Sequence, residues 1–345
     1  MLVVLSGMAV PHRKASSEFV SRQGFGSLLA AVTAEAHDPQ AGIFGPDSAT
    51  RRVNRESALF LGAGRAALLQ LAHPWVATAL AQHSNLLARP IARFHNTFRI
   101  VFTMIFGTVD QARAAARHLY ALHTVIRGEL TEDTAGWACC SHYEANEINA
   151  LRWVYSTLVE SAVIAWECAL GPMTAAFREE YYAESRTLAG LFGLPPAALP
   201  ADWKAFLEYN RGMHESTELG VSREARFISA SLLSGAGSWI RPPHWYRALT
   251  IAWLPPRFRD EFALPFGNTE QASAARAARR FPTVYRLLPP TLRFTGPWQE
   301  AQARLEHRRP GALTRLSNQF WIGVPLLPFA SQTCPAHPTP LQPGL

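Results

Sequence analysis

Arg93-Phe-His-Asn-Thr97 and His123-Thr-Val-Ile-Arg127 are the two stretches on which the reading of this chain turns. In each, the outer residues are spaced i, i+4, so on a helix they project from one face, one turn apart. Gly107 and Thr108 separate the two, which predicts an antiparallel helical hairpin over Arg89 to Gly128. Pro90 suits a first helical turn, and Phe94, Phe98, Val101, Phe102 and Ile105 form the apolar stripe of a helix ending at Phe106. Gly107 then reads as a left-handed terminating residue. Thr108 with Gln111 reads as a capping box opening a second helix that runs to Arg127. On that second helix Ala112, Ala116, Leu119, Tyr120, His123 and Ile126 share a face, and the two alanines leave room above His123.

Outward from the hairpin, helical spacing dominates. It is found from Asn54 to Leu71, again after Pro74, from Glu147 to Ala169, over 173 to 192 and around Trp203 to Met213. Shorter helical stretches fill 222 to 287, Thr131 to Glu144 reads as a loop, and alternating strand patterns are nearly absent. The expectation is an all-α, single-domain protein: a mobile arm over 1–24, a helical body over 25–310 and a Pro-rich tail over 311–345.

Composition bounds the function. The chain has 345 residues, 48% hydrophobic and 17% charged, which is a globular balance with ample core. A net charge of +7 raises nucleic acid as a partner, but the arginines are scattered and the only lysines are Lys14 and Lys204. Without a clustered basic stripe, no nucleic-acid partner is expected. Four cysteines without a C-x-x-C pair fit a reducing compartment. No segment holds about 20 uninterrupted apolar residues, so no stable membrane insertion is expected and a cytoplasmic location is the default.

The individual candidates leave alternatives open. His123 on an apolar face is either a satisfied core histidine or a ligand, and Arg93 with Thr97 is either a structural pair or part of a site. A haem needs an imidazole for iron, a flat apolar slot and cationic groups for its propionates. His123, the alanine face and Arg127 meet those needs without demanding them. His73 and His83 read as capping or loop residues, or with Glu160 as a non-haem iron triad. Gly62-Ala-Gly64 before Arg65 does not follow a strand, so it reads as close helix packing rather than a phosphate cradle.

The order of motifs carries more than any one of them. Gly62-Ala-Gly64-Arg65 precedes Gln70-Leu-Ala-His73-Pro74, His83-Ser84, Arg93-x-x-x-Thr97 and Phe106-Gly107. His123-x-x-x-Arg127-Gly128, Trp153-Val-Tyr-Ser-Thr157-Leu-Val-Glu160-Ser161, Leu191-Phe-Gly-Leu-Pro195 and Leu199-Pro200-Ala-Asp-Trp203 follow. Over roughly residues 55 to 235 this series resembles the oxygenase MpaB family, which includes the latex-clearing rubber oxygenases. The resemblance implies a globin-like helical bundle with a pocket for haem b. It implies oxidative cleavage by O2 of a carbon–carbon double bond in a small hydrophobic alkene, isoprenoid or terpenoid. It assigns the proximal iron ligand to His123, with Arg127 beside it, and places Arg93 and Thr97 beside the haem as catalytic residues. Where the rubber oxygenases carry a lysine able to bind iron, this chain has Asn96, a poor ligand. The sixth position is then open, water-bound, or taken by another residue such as His83. The remaining readings are a non-catalytic haem- or lipid-binding module and a peroxidase-like enzyme.

Overall fold

The computed structural model describes residues 18–84, 89–237 and 241–329. Helix α1 (Arg22–Ala34) opens where the Ser21 side chain accepts a hydrogen bond from the Gly24 amide. Short α2 (Ala49–Asn54) and a 3₁₀ turn over Ser57–Leu61 lead to α3 (Ala63–Leu71). Pro74 then starts a new helix, α4 (Pro74–His83), instead of kinking the old one. The hairpin follows as α5 (Pro90–Phe106) and α6 (Val109–Thr124). Strands β1 (Arg127–Glu129) and β2 (His142–Glu144) pair antiparallel, Arg127 opposite Glu144. They precede α7 (Ile148–Leu170) and α8 (Ala175–Leu191). The remaining helices are α9 (Trp203–Glu215), α10 (Arg223–Ser234), α11 (His244–Ala252), α12 (Pro256–Glu261), α13 (Asn268–Arg286), α14 (Pro290–Arg293), α15 (Gly296–Leu305) and α16 (Ala312–Ile322). The all-α expectation holds.

Some sequence readings of the fold differ from the structure. The 131–144 loop contains β2, a strand too short for alternation to register. Gly107 is extended (φ −71°, ψ 170°) rather than left-handed, and it is glycine for want of space. A Cβ there would meet the Thr103 carbonyl oxygen at 2.5 Å and Gln111 Cβ at 2.9 Å. The helical body also extends past both expected boundaries. Val20 is buried, α1 begins at Arg22, and α16 docks on α5 through Arg99 Nε donating to the Ile322 carbonyl at 3.0 Å. The first 17 and last 16 residues of the expected arm and tail lie outside the described residues.

The centre of the molecule is α7. It buries residues around its whole circumference, among them Leu151, Trp153, Tyr155, Thr157, Val159, Ser161 and Val163. One core forms where it meets α2, α8 and the hairpin; a second gathers Leu68, Leu69, Trp153, Met213, Ile228 and Phe258 from α3, α7, α9, α10 and α12. The hairpin enters the first core asymmetrically. Every buried residue of α5 lies from Ile100 onward, and every buried residue of α6 lies from Val109 to Ala116. The closed end at Gly107 is therefore fully packed, while the open end, Pro90–Arg99 against Arg117–Thr124, is only partly buried, through Phe98, Leu119 and Tyr120. Arg304 Nη2 donates to the Phe106 carbonyl and Gln111 Nε2 to the carbonyls of Leu327 and Pro328, which ties the closed end to the C-terminal segment.

Gln111 is 5% exposed and completes the capping box, accepting from the Thr108 amide at 3.0 Å. Gln111→Ala removes that bond and both straps, so it should lower unfolding free energy by about 1–3 kcal/mol in urea titration. Limited proteolysis should at the same time cleave first within 323–329; an unchanged midpoint and cleavage pattern would contradict this role.

Candidate functional site

The open end of the hairpin collects the sequence candidates unevenly. His123 occupies the last turn of α6, half-buried, and Arg93 and Thr97 lie on the first turns of α5. Water reaches Arg93 from the open end, yet protein surrounds both groups closely enough to desolvate them. Desolvation, reinforced by the Arg93 charge, lowers the His123 imidazole from 6.5 to about 4. Burial lowers the Arg93 guanidinium as well. The two side chains are thus within electrostatic reach, as the hairpin predicts. Among the described residues neither His123 ring nitrogen has a hydrogen-bond partner, and Nδ1 is fully enclosed. Arg93 has no carboxylate partner there either.

Arg127 does not sit where an i, i+4 spacing on a helix would put it. Helix α6 stops at Thr124, Val125 caps it, and Arg127 is the first residue of β1, exposed at the sheet edge. β-Branched Val125 and Ile126 followed by Gly128 end the helix early. Nor do the alanines leave an empty slot: Ala112, Ala115 and Ala116 are fully buried and serve the close approach of α6 to α5.

Thr97 Oγ1 donates to the Arg93 carbonyl at 3.1 Å, so its hydroxyl proton is engaged along α5 and its lone pairs are presented outward. Asn96 is exposed beside it. The aromatic row Phe94, Phe98 and Phe102, with ring centroids 4.6 and 5.6 Å apart, runs along the adjacent stripe of α5.

His83 and His73 are not brought to the imidazole of His123 in the same manner. His83, at the end of α4, places Nε2 3.1 Å from the Arg127 carbonyl oxygen, stitching α4 to β1; Gln82 assists, donating to the Glu129 carbonyl and accepting from Tyr143 OH at 2.6 Å. His73 occupies the N-cap position of α4 without a side-chain cap bond, 2% exposed, its ring 5.8 Å from Trp137 and 6.1 Å from Trp75. Desolvation lowers it to about 4 also. Glu160 is committed elsewhere, to Arg65 at 2.6 Å. The triad of His73, His83 and Glu160 is therefore not assembled, and among the described residues no three His, Cys, Asp or Glu side chains gather to hold a metal ion.

Sequence reading passed over the partners that position α5. His95 Nε2 lies 3.0 Å from the Phe320 carbonyl oxygen, and Gly323, left-handed at φ +71°, lies so close that a Cβ would meet His95 Nδ1 at 2.5 Å. The apolar spacing Leu313, Leu316, Phe320 signals α16, but Trp321, which stacks on Phe60 at 3.8 Å, is what reaches the hairpin.

A family model described as "ER-bound oxygenase mpaB/B'/Rubber oxygenase, catalytic domain" matches residues 50–294, which takes in α2 through α14 and the whole hairpin. No curated protein and no solved structure matches the chain. No helix among the described residues is long and apolar enough to cross a membrane.

The two depressed histidines make stability depend on pH in a definite direction. Their folded pKa values lie below the unfolded value, so the unfolded chain takes up protons first as pH falls. Stability is full above about 6.5 and is lost between about 6.5 and 4, by up to roughly 3 kcal/mol for buried His73 and less for half-buried His123. Urea midpoints measured from pH 7 to 4 should fall, and His73→Gln and His123→Gln should each flatten the slope; parallel slopes in all three proteins would refute the assignment.

Proposed function

Given that the chain belongs to the mpaB/rubber oxygenase catalytic-domain family, we propose that it is a haem b-dependent oxygenase that cleaves a carbon–carbon double bond of a hydrophobic, isoprenoid-like substrate. The observation that carries this is His123: a neutral imidazole with no protein partner among the described residues, held beside an unpaired arginine at the open end of an apolar hairpin. Iron takes the neutral form of imidazole, and a pKa near 4 keeps His123 in that form throughout the physiological range. The cation for a propionate carboxylate is Arg93, with Arg127 on β1 as the second. The donor set fits the group.

When bound, haem supplies an iron that brings O2 to the double bond, whose scission gives two carbonyl products. The chain's own residues do the rest. Phe94, Phe98 and Leu119 exclude water and lay an apolar molecule along α5, so that proximity lowers the barrier. Arg93 donates hydrogen bonds toward oxygen atoms or a carboxylate. Thr97 accepts from a water molecule or an arginine N–H, since its own proton is held by the Arg93 carbonyl. Asn96 is a weak ligand and the His83 Nε2 is engaged by the Arg127 carbonyl, so neither side chain would compete for a group held by His123.

Haemin added to purified protein should give a Soret band. His123→Ala should abolish or strongly shift it, and Arg93→Met should weaken binding by about ten-fold, the value of one charge-assisted contact. Incubation with prenyl alkenes should then consume O2 and release carbonyl products. A missing Soret band, or a normal one in His123→Ala, sinks the haem assignment. Haem binding without O2 uptake would make the protein a carrier, and peroxide-dependent oxidation alone a peroxidase.

A further inference from the structure

Cys139 and Cys140 stand side by side in the loop joining β1 to β2, both exposed, with their Sγ atoms in thiol hydrogen-bond contact at 3.2 Å. Consecutive side chains do not normally meet: they point to opposite faces of a strand and away from each other on a helix. Here an unusual backbone brings them together. Cys140 is left-handed at φ +63°, a conformation that a residue with a Cβ rarely adopts, and Ala135 in the same loop is left-handed at φ +53°.

The loop holds the pair in place. The Cys139 amide donates to Asp133 Oδ1 at 2.6 Å, and the Cys140 amide to the Leu130 carbonyl at 2.9 Å. Trp137 anchors the turn, its Nε1 donating to the Glu218 carbonyl at 2.9 Å and its ring 4.5 Å from Trp75. The Gly136 amide adds a bond to the Thr217 carbonyl at 2.7 Å. Two thiols are thus presented to water on a fixed turn, where packing does not require them. Nor do they belong to a closed zinc site, which takes four ligands: among the described residues no three His, Cys, Asp or Glu side chains gather.

We propose that Cys139 and Cys140 form a reversible redox site, which a small disulfide of the glutathione type oxidises to one intramolecular disulfide, closing a small ring through the 139–140 peptide. One cysteine gives up its proton and attacks a sulfur of the small disulfide, whose S–S bond breaks. The departing thiolate takes up that proton and leaves as the first thiol. The second cysteine then attacks the attached sulfur of its neighbour, the mixed disulfide breaks, and the second small thiol leaves with the second proton. Two cysteine S–H bonds are replaced by one S–S bond, and the small disulfide is reduced to two thiols. Hydrogen bonding to Cys140 pushes the Cys139 thiol up, so Cys139 keeps its proton longer and Cys140 makes the first attack. Neighbouring Cα atoms lie about 3.8 Å apart, less than the roughly 4.4–6.8 Å that disulfides usually span. A ring so compressed and so exposed is readily reopened by thiols, which makes the oxidation reversible rather than a permanent cross-link.

The test is redox titration of the full chain in glutathione buffers, followed by alkylation and mass spectrometry of the tryptic peptide 128–152, which holds both cysteines and no other. As the buffer becomes oxidising, the peptide should pass from two alkyl groups to none with the loss of two hydrogens, and dithiothreitol should restore it. Cys139→Ser should instead trap one glutathione on Cys140. Reduced wild type should bind phenylarsine oxide through both sulfurs, and each single serine variant should bind it at least about ten-fold more weakly, because the second bond is no longer intramolecular. Both side chains are exposed, so these variants fold. No loss of two hydrogens at any glutathione ratio, a glutathione adduct that persists in wild type, or equal arsenical binding by the single variants overturns the proposal.

Discussion

One buried guanidinium joins the three helices on which the rest of the molecule is assembled. Arg65, 3% exposed on α3, donates from Nη2 to Glu160 and from Nη1 to Ser161 on α7, and from Nε to the Trp253 carbonyl at the end of α11. Each of its arms has a fixed acceptor, so the charge is neutralised and its donors are satisfied. An ion pair of this kind adds little net stability over an apolar replacement, but losing one partner costs about 3–5 kcal/mol because the other charge is left stranded. It also specifies register. Gly62 and Gly64 flank it for that reason: a Cβ at 62 would meet the Ser161 carbonyl oxygen at 2.4 Å, and one at 64 would meet Thr250 Oγ1 at 2.7 Å.

With α7 pinned there, its two faces carry separate cores, and the hairpin is fastened from both ends by different means. Its closed end is packed and strapped through Gln111 and Arg304 to the chain around Leu327 and Gln40. Its open end is held by separate ties: His95 and Arg99 grip α16, the Gln82–His83 pair grips β1, and Tyr120 donates to the Val20 carbonyl. Arg93 and His123 lie within electrostatic reach of each other there, and the Thr97 hydroxyl is tied to the Arg93 carbonyl.

Local rules made much of this readable from the amino acids. The Thr108–Gln111 capping box and the packing role of Gly62-Ala-Gly64 each depend on a few neighbouring residues, and both are found in place. So is the nearness of Arg93 to His123, which needs only one turn between two helices. What could not be read depends on contacts distant in sequence. Nothing near Arg127 announces that it pairs with Glu144, so a helical continuation was the natural expectation. The alanines of α6 are filled by α5 rather than vacant, which follows from packing and not from residue size. Trp321 meets Phe60 across about two hundred and sixty residues of chain, and no spacing rule spans such a distance.

The asymmetric burial of the hairpin has a thermodynamic meaning. At its open end the apolar side chains, Phe98, Leu119 and Tyr120 among them, are only partly buried against the core, so this part of the fold is held less firmly than the closed end. Amide hydrogens there exchange by opening events far smaller than global unfolding. A ligand bound against these half-buried side chains would add its binding free energy to the stability of the chain as RT ln(1 + [L]/Kd), and the melting temperature would then report its occupancy.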